Sequence, residues 1–170
     1  FEFTIITNQG NRNREMTALI IQQRLREVGV LVKIRTIEWA AFLKEFVDKK
    51  NFEAMILSWT IPSDPDPFDV WHSSKTREGE LNFISFKNEE GERLIDQGRY
   101  TFDQAERKKD YFRFQEILQE EVPYVFLYVP DALPVASSRI MGIKPAPAGI
   151  EYNRPEWFTP QNRQKYQVEP

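Results

Sequence analysis

Phe1–Ile37 reads FEFTIITNQGNRNREMTALIIQQRLREVGVLVKIRTI, and its three segments decide the fold. Phe1–Thr7 is rich in Phe, Ile and Thr, which suit a pleated, half-buried surface, and is expected as a strand. Asn8-Gln9-Gly10-Asn11-Arg12-Asn13 is a polar turn with several asparagines able to cap a helix. From Arg14 to Val28 the apolar residues Ala18, Ile21, Leu25 and Val28 recur at helical spacing, and Gly29 stands where a left-handed C-cap belongs. Val30–Ile37 alternates Val30, Val32 and Ile34 against Leu31, Lys33 and Arg35, the pattern of a half-buried strand. A helix of that length between two strands makes them parallel, with a right-handed crossover.

The alternation of element types continues outward from there. Trp39, Phe42, Leu43, Phe46 and Val47 mark the apolar face of a second helix. Phe52–Trp59, with the unbroken run Ala54–Leu57, is expected as a third strand covered on both faces. A proline-rich segment, Pro62–Pro67, precedes polar and irregular sequence over Asp69–Glu80 and a short extended piece at Leu81–Phe86. Asn88 then caps a helical stretch in which Glu89 and Glu90 can reach Arg93. Thr101–Val122 is the longest expected helix. Asp103 and Glu106 have capping-box spacing, Tyr111, Phe114 and Leu118 form its buried stripe, and Pro123 ends it. Tyr124–Val129 is apolar and β-favouring, and reads as another buried strand.

Pro130–Pro170 carries seven of the 11 prolines and few periodic apolar residues. The expected architecture is therefore α/β, a mostly parallel sheet flanked by helices. The α/β part spans 1–145, and an extended tail over 146–170 is expected to pack against something outside it. Opening inside a strand pattern and without Met, the sequence reads as a piece of a longer protein.

Composition excludes several classes of function. The net charge is −3, with both signs interspersed, so no basic field exists to attract a phosphate backbone and no nucleic-acid partner is expected. Cysteine is absent, which removes disulfide frameworks, thiolate metal sites and a cysteine nucleophile. No apolar run approaches the roughly 18 residues of a membrane span. The nucleotide-binding, P-loop, nucleophile-elbow and zinc-protease motifs are all missing.

What remains lies at the carboxyl ends of the strands, where open α/β sheets bind ligands. Two turns emerge there, Asn8–Asn13 and Trp59–Phe68. Trp59 ends a buried strand and can wall a small-molecule cleft. Asp64 and Asp66 each precede proline and are turn formers or ligand contacts. His72 is the sole histidine and has Ser73 and Ser74 beside it in sequence, which supplies no triad geometry. A hydrolase would have to work through Asp64, Asp66 or His72; a domain with no small ligand is the other alternative. Arg14, Arg24 and Arg26 read as a solvated helix face.

The order of features carries more than any one of them. An Asn/Arg-rich turn opens a helix ending in Val28-Gly-Val, and a strand leads to Ile37-Glu-Trp-Ala-Ala-Phe. A buried strand ends in Ser58-Trp59 before a loop bearing Asp64-Pro-Asp66. Asn82, Lys87-Asn88, Arg107, Phe114-Gln115-Glu-Ile-Leu, Val122-Pro123-Tyr124 and Leu127-Tyr128 follow. This series resembles the C-terminal lobe of the extracellular solute-binding proteins of family 5, the dipeptide and oligopeptide receptors of ABC importers, from Phe1 to about Trp157. The resemblance implies one lobe of a type II (class C) periplasmic binding protein, periplasmic or extracellular and lipid-anchored. It implies a monomer that captures peptides or a related small solute and delivers them to an ABC permease, without catalysis, cofactor or metal.

It also implies that the position of the family's ammonium-binding aspartate, three residues after the strand-ending tryptophan, is Pro62 here. The Arg and Tyr that hold a dipeptide carboxylate become Asn8 and Gly10. The expected ligand-binding residues are accordingly Asn8, Gln9, Trp59, Thr60, Asp64, Asp66 and Phe68, with Asp64 or Asp66 taking the ammonium.

Overall fold

The computed structural model describes residues 1–60, 62, 64–147 and 149–166, and the chain divides into two compact units, Phe1–Val125 and Phe126–Pro170. The first unit is built on a three-stranded parallel sheet of order β2-β1-β3. β1 is Glu2–Asn8, β2 is Leu31–Ile37 and β3 is Ala54–Met55. Helix α1, Arg12–Glu27, joins β1 to β2. Asn11 caps it by accepting from the Arg14 N–H at 3.1 Å, and Gly29 beyond its end has φ +81°. Ala18 is fully buried and Ile21 and Leu25 pack beside it, but Val28 is 74% exposed. Val28 belongs to the turn at the C-cap, where the helical stripe no longer aims at the sheet.

Neighbouring residues of β1 serve opposite faces, as the period of two requires. Ile5 packs with Ala18, Val32 and Ile56 under α1, whereas Ile6 packs with Phe42, Val47 and Phe83. The second helix begins as α2, Trp39–Ala41, and continues as a π-helix over Phe42–Val47. The wider i→i+5 coil, with Asp48 N–H on Leu43 O at 2.9 Å, buries Phe42 and Val47 together and leaves Trp39 45% exposed.

Two expected strands and one expected extended piece are corrected. Phe52–Trp59 shrinks to β3 because the ladder stops at Ile56, whose N–H donates to Ile6 O while its carbonyl accepts from the buried Thr7 hydroxyl at 3.2 Å. Leu81–Phe86 is a turn with Ser85 at φ +57°. Asn82, fully buried, donates to the carbonyls of Trp71, His72 and Phe86 and accepts from Phe86 N–H, taking the place of a ladder. Tyr124–Val129 joins no sheet among the described residues, and Val125 and Val129 are 76% and 82% exposed. β-propensity favours an extended backbone but supplies no neighbouring strand.

A helical hairpin completes the unit: α3, Phe68–Trp71, lies in the segment expected to be irregular, and α4, Glu89–Tyr100, is followed by α5, Gln104–Glu121. Asn88 caps α4 and Asp103 caps α5. Leu94, Ile95, Phe114, Ile117 and Leu118 form their shared core with Trp71 and Phe86. Glu90 pairs with Arg113 of α5 at 2.9 Å rather than with Arg93, which donates to Gln97. The planar guanidinium engages both Glu90 oxygens, a geometry that a neighbour one turn away on the same helix does not offer.

In the second unit, Met141 and Phe158 form an antiparallel bridge, and Ile150–Glu156 coils into a 3₁₀ helix within the segment expected as an extended tail. Buried Asn153 ties the unit together through Gly142 O, Lys144 N–H and the Trp157 indole N–H.

Candidate functional site

All the candidate ligand residues lie in the first unit, at the end of β1 and the turn after it and along the segment from β3 to the start of α3; β1 and β3 are adjacent strands. At the end of β1, Asn8 donates to Gln9 O at 3.2 Å, and the Gln9 N–H donates to Ile37 O, the last residue of β2, at 2.7 Å. Gly10 takes φ +82°, which glycine adopts without strain, and its N–H reaches the Glu15 carboxylate at 3.0 Å.

The loop after β3 begins at Ser58. Trp59, 39% exposed, stacks on Phe83 with ring centroids 5.6 Å apart and planes at 14°. Thr60 is exposed; Ile61 and Ser63 lie outside the described residues. Arg14 was expected on a solvated face. Instead it donates from Nη1 to Asn8 Oδ1 at 2.6 Å and from Nη2 to Ser58 Oγ, touching both loops. Arg24 keeps to the surface, 3.3 Å from Glu27.

Asp64 and Asp66 are fastened to the helical hairpin. Arg107 Nη2 donates to Asp64 Oδ1. Arg107 is itself held by Gly98 O at 2.8 Å and by the Tyr111 hydroxyl at 3.2 Å. The hydrogen bond to Asp64 first, and that to Tyr111 second, hold its proton more firmly than in an ordinary guanidinium. Asp66 accepts from the Phe68 N–H at 3.0 Å, a turn-forming contact, and lies 3.0 Å from Arg99 Nε. The Asp64 side chain is 63% exposed and that of Asp66 34%. Asp66 is thus committed to the turn, while Asp64 presents more of its surface.

Phe68 is sandwiched between His72, at 4.5 Å, and the Arg99 guanidinium, 4.0 Å from its centroid. The His72 Nδ1 accepts from the Ser74 N–H at 3.1 Å and so caps the short turn Ser73–Lys75. Its Nε2 faces Glu92 and Asp96, each at 3.9 Å. The arrangement orients His72 as a structural cap. Among the described residues no group of three acidic, His or Cys side chains is placed to hold a metal ion.

Known proteins resemble this chain over most of its length. A family model described as bacterial extracellular solute-binding proteins, family 5 Middle, matches residues 1–80. The oligopeptide-binding protein AppA of Bacillus subtilis (strain 168) is 33% identical over 159 residues, covering 93% of this chain. Its solved structure, in complex with a nonapeptide, superposes with a TM-score of 0.76, covering 94% of this chain and 32% of that one. The chain belongs to the family 5 bacterial extracellular solute-binding proteins.

This family 5 chain spans 29% of the length of AppA. The periplasmic binding protein DppA of Helicobacter pylori, solved with the peptide STSA, is 29% identical with a TM-score of 0.67, covering 74% of this chain and 25% of DppA. NikZ of Campylobacter jejuni, solved with Ni(L-His), is 26% identical with a TM-score of 0.72, covering 92% of this chain and 33% of NikZ. The fold class is that of one lobe of a type II periplasmic binding protein, α/β with a parallel sheet flanked by helices. No helix among the described residues is long and apolar enough to cross a membrane.

Proposed function

We propose that this chain is a peptide-binding lobe of the extracellular receptor of an ABC importer. The observation that carries the proposal is the placement of two polar loops side by side at the carboxyl ends of β1 and β3, in a family whose relatives AppA and DppA were solved with peptides. Asn8, Gln9, Trp59, Thr60, Asp64, Asp66 and Phe68 form the ligand-facing set. Backbone and amide groups of the Asn8–Gln9 turn meet the peptide main chain, and Trp59 provides an apolar wall.

Asp64 takes the ligand's ammonium, because a desolvated ammonium needs an opposite charge and Asp64 is the more exposed of the two aspartates. Residues 1–145 serve as the lobe, and 146–170 pack on a second lobe that closes over the ligand. The complete protein is a monomer, periplasmic or lipid-anchored, and passes its ligand to a membrane permease. It does no chemistry: in support, His72 Nδ1 is occupied in a backbone cap and both aspartates face arginines.

The test is calorimetry on the complete protein with the peptide STSA and an alanine-based nonapeptide, each with free and acetylated N-termini. Binding of the intact peptide, without cleavage products, is expected. Asp64→Asn should weaken the free-amine form about tenfold and leave the acetylated form unchanged. Equal effects on both forms would remove Asp64 as the anchor, and cleavage of the peptide would overturn the receptor reading.

A further inference from the structure

We propose that Arg14 is the positioning residue of this site, a strut that joins the ends of all three strands and makes the two ligand-side loops one preformed wall. The proposal rests on the peptide-binding reading above and deepens it.

The ladder between β1 and β3 ends at the Ile56 N–H on Ile6 O. Beyond that point side chains replace backbone pairing: Thr7 Oγ1 donates to Ile56 O, and Arg14 donates to Ser58 Oγ. Through its other nitrogen, Arg14 holds Asn8 Oδ1 at 2.6 Å. Asn8 in turn donates to Gln9 O, and the Gln9 N–H donates to Ile37 O at the end of β2. A continuous chain of hydrogen bonds therefore runs from β2 through the β1 turn to the residue preceding Trp59.

The guanidinium is suited to this task for a geometric reason. Its planar fork presents donors in two fixed directions, so one side chain satisfies acceptors on two separate loops. Lysine offers a compact point charge on a flexible stem, with no such fixed fork. The base of the strut is itself fixed, since the Arg14 N–H sits in the Asn11 cap at the start of α1. Ordering both loops before the ligand arrives lowers the entropic cost of binding.

The experiment uses the complete protein, titrated with STSA and the alanine-based nonapeptide, alongside acrylamide quenching of tryptophan fluorescence and thermal melting. Quenching is read in a background where Trp39, Trp71 and Trp157 are replaced by Phe, leaving Trp59 as the reporter within this chain. Arg14→Ala should weaken peptide binding about tenfold and make Trp59 more accessible to quencher. Ser58→Ala, on an exposed residue, should move both readouts in the same direction, and the double variant should be no worse than Arg14→Ala alone. Arg14→Lys should keep the melting temperature yet fail to restore affinity.

Unchanged affinity and quenching in both Arg14→Ala and Ser58→Ala overturn the strut. So does full rescue by lysine, or a double variant whose losses simply add. If the wild-type protein binds neither peptide, the receptor reading fails and takes this inference with it. Peptide binding that ignores Arg14 removes this inference alone.

Discussion

Gly98→Ala tests how the helical hairpin is packed and, through it, how the ligand loop is held. Gly98 is buried on α4 facing Tyr111 of α5. A Cβ added there would lie 2.3 Å from Tyr111 Cε1, 2.8 Å from Cζ and 2.9 Å from Cδ1. The ring cannot yield cheaply: Tyr111 is 7% exposed, its hydroxyl accepts from Arg107, and the Arg107 guanidinium lies 5.1 Å from the ring centroid. Two effects oppose one another. Alanine gains about 1 kcal/mol over glycine in a helix interior. Overpacking a filled core costs about 1–3 kcal/mol, and the upper part of that range applies where three ring atoms are displaced together. The net expectation is a loss of about 1–2 kcal/mol, read as a lower urea midpoint at unchanged slope by far-UV circular dichroism. Combined with Tyr111→Ala, which is itself costly, the alanine at 98 should lose its penalty and show its helix gain. A Gly98→Ala variant as stable as the wild type, or one whose loss adds to that of Tyr111→Ala, would refute the close-packing argument.

Three further outcomes follow from other parts of the first unit. Asn82→Ala removes four hydrogen bonds from a fully buried position and strands the Phe86 N–H, so a loss of about 3 kcal/mol is expected in the same urea titration. Burial raises the Tyr124 phenol above the usual 10.0, so the folded state keeps this proton after the unfolded chain has released it. That contribution is complete below pH 10 and is lost as pH rises beyond it, so absorbance at the phenolate band should show Tyr124 ionising only with unfolding. Backbone N–H groups of Ala40 and Ala41 hold the Glu38 carboxyl below the usual 4.5. Its cap on α2 is complete above that value and fades as pH falls through the lowered one; a Glu38 carboxyl that titrates at the ordinary value by NMR would contradict the cap.

The sequence was most informative where structure is local. Phe1–Ile37 could be read because helical and strand periodicities change within a few residues. An asparagine cap within Asn8–Asn13, and the caps at Asn88, Asp103 and Gly29, could be read because caps bond to backbone within the same turn. Partners far apart in sequence were not legible. Arg14 looked like one more surface arginine because Ser58 is 44 residues away, and Asp64 meets Arg107 across 43. The same limit explains the strands. Phe52–Trp59 and Tyr124–Val129 have the composition of strands, but the length of a strand is set by what pairs beside it. Thr7 could have hinted at the early end of β3, since a hydroxyl on a buried strand face must find an acceptor.

The ligand loop shows why these long-range contacts matter more than its own residues. Between Trp59 and Phe68 the loop is mostly Thr, Ser, Pro and Asp, with little apolar area with which to order itself. It is instead fastened at both ends by arginines from three different helices: Arg14 of α1 at Ser58, and Arg107 of α5 and Arg99 of α4 at Asp64 and Asp66. Phe68, clasped between Arg99 and His72, sets the point where the loop enters α3. Each of these pairs is partly exposed and contributes little to stability by itself. Their joint effect falls on conformational freedom, because a loop fixed at both ends has less entropy left to lose when a ligand arrives. The arginines therefore act on affinity chiefly through the geometry of Trp59 and Asp64, and the weak contribution of each pair to folding leaves that geometry open to adjustment without loss of the fold.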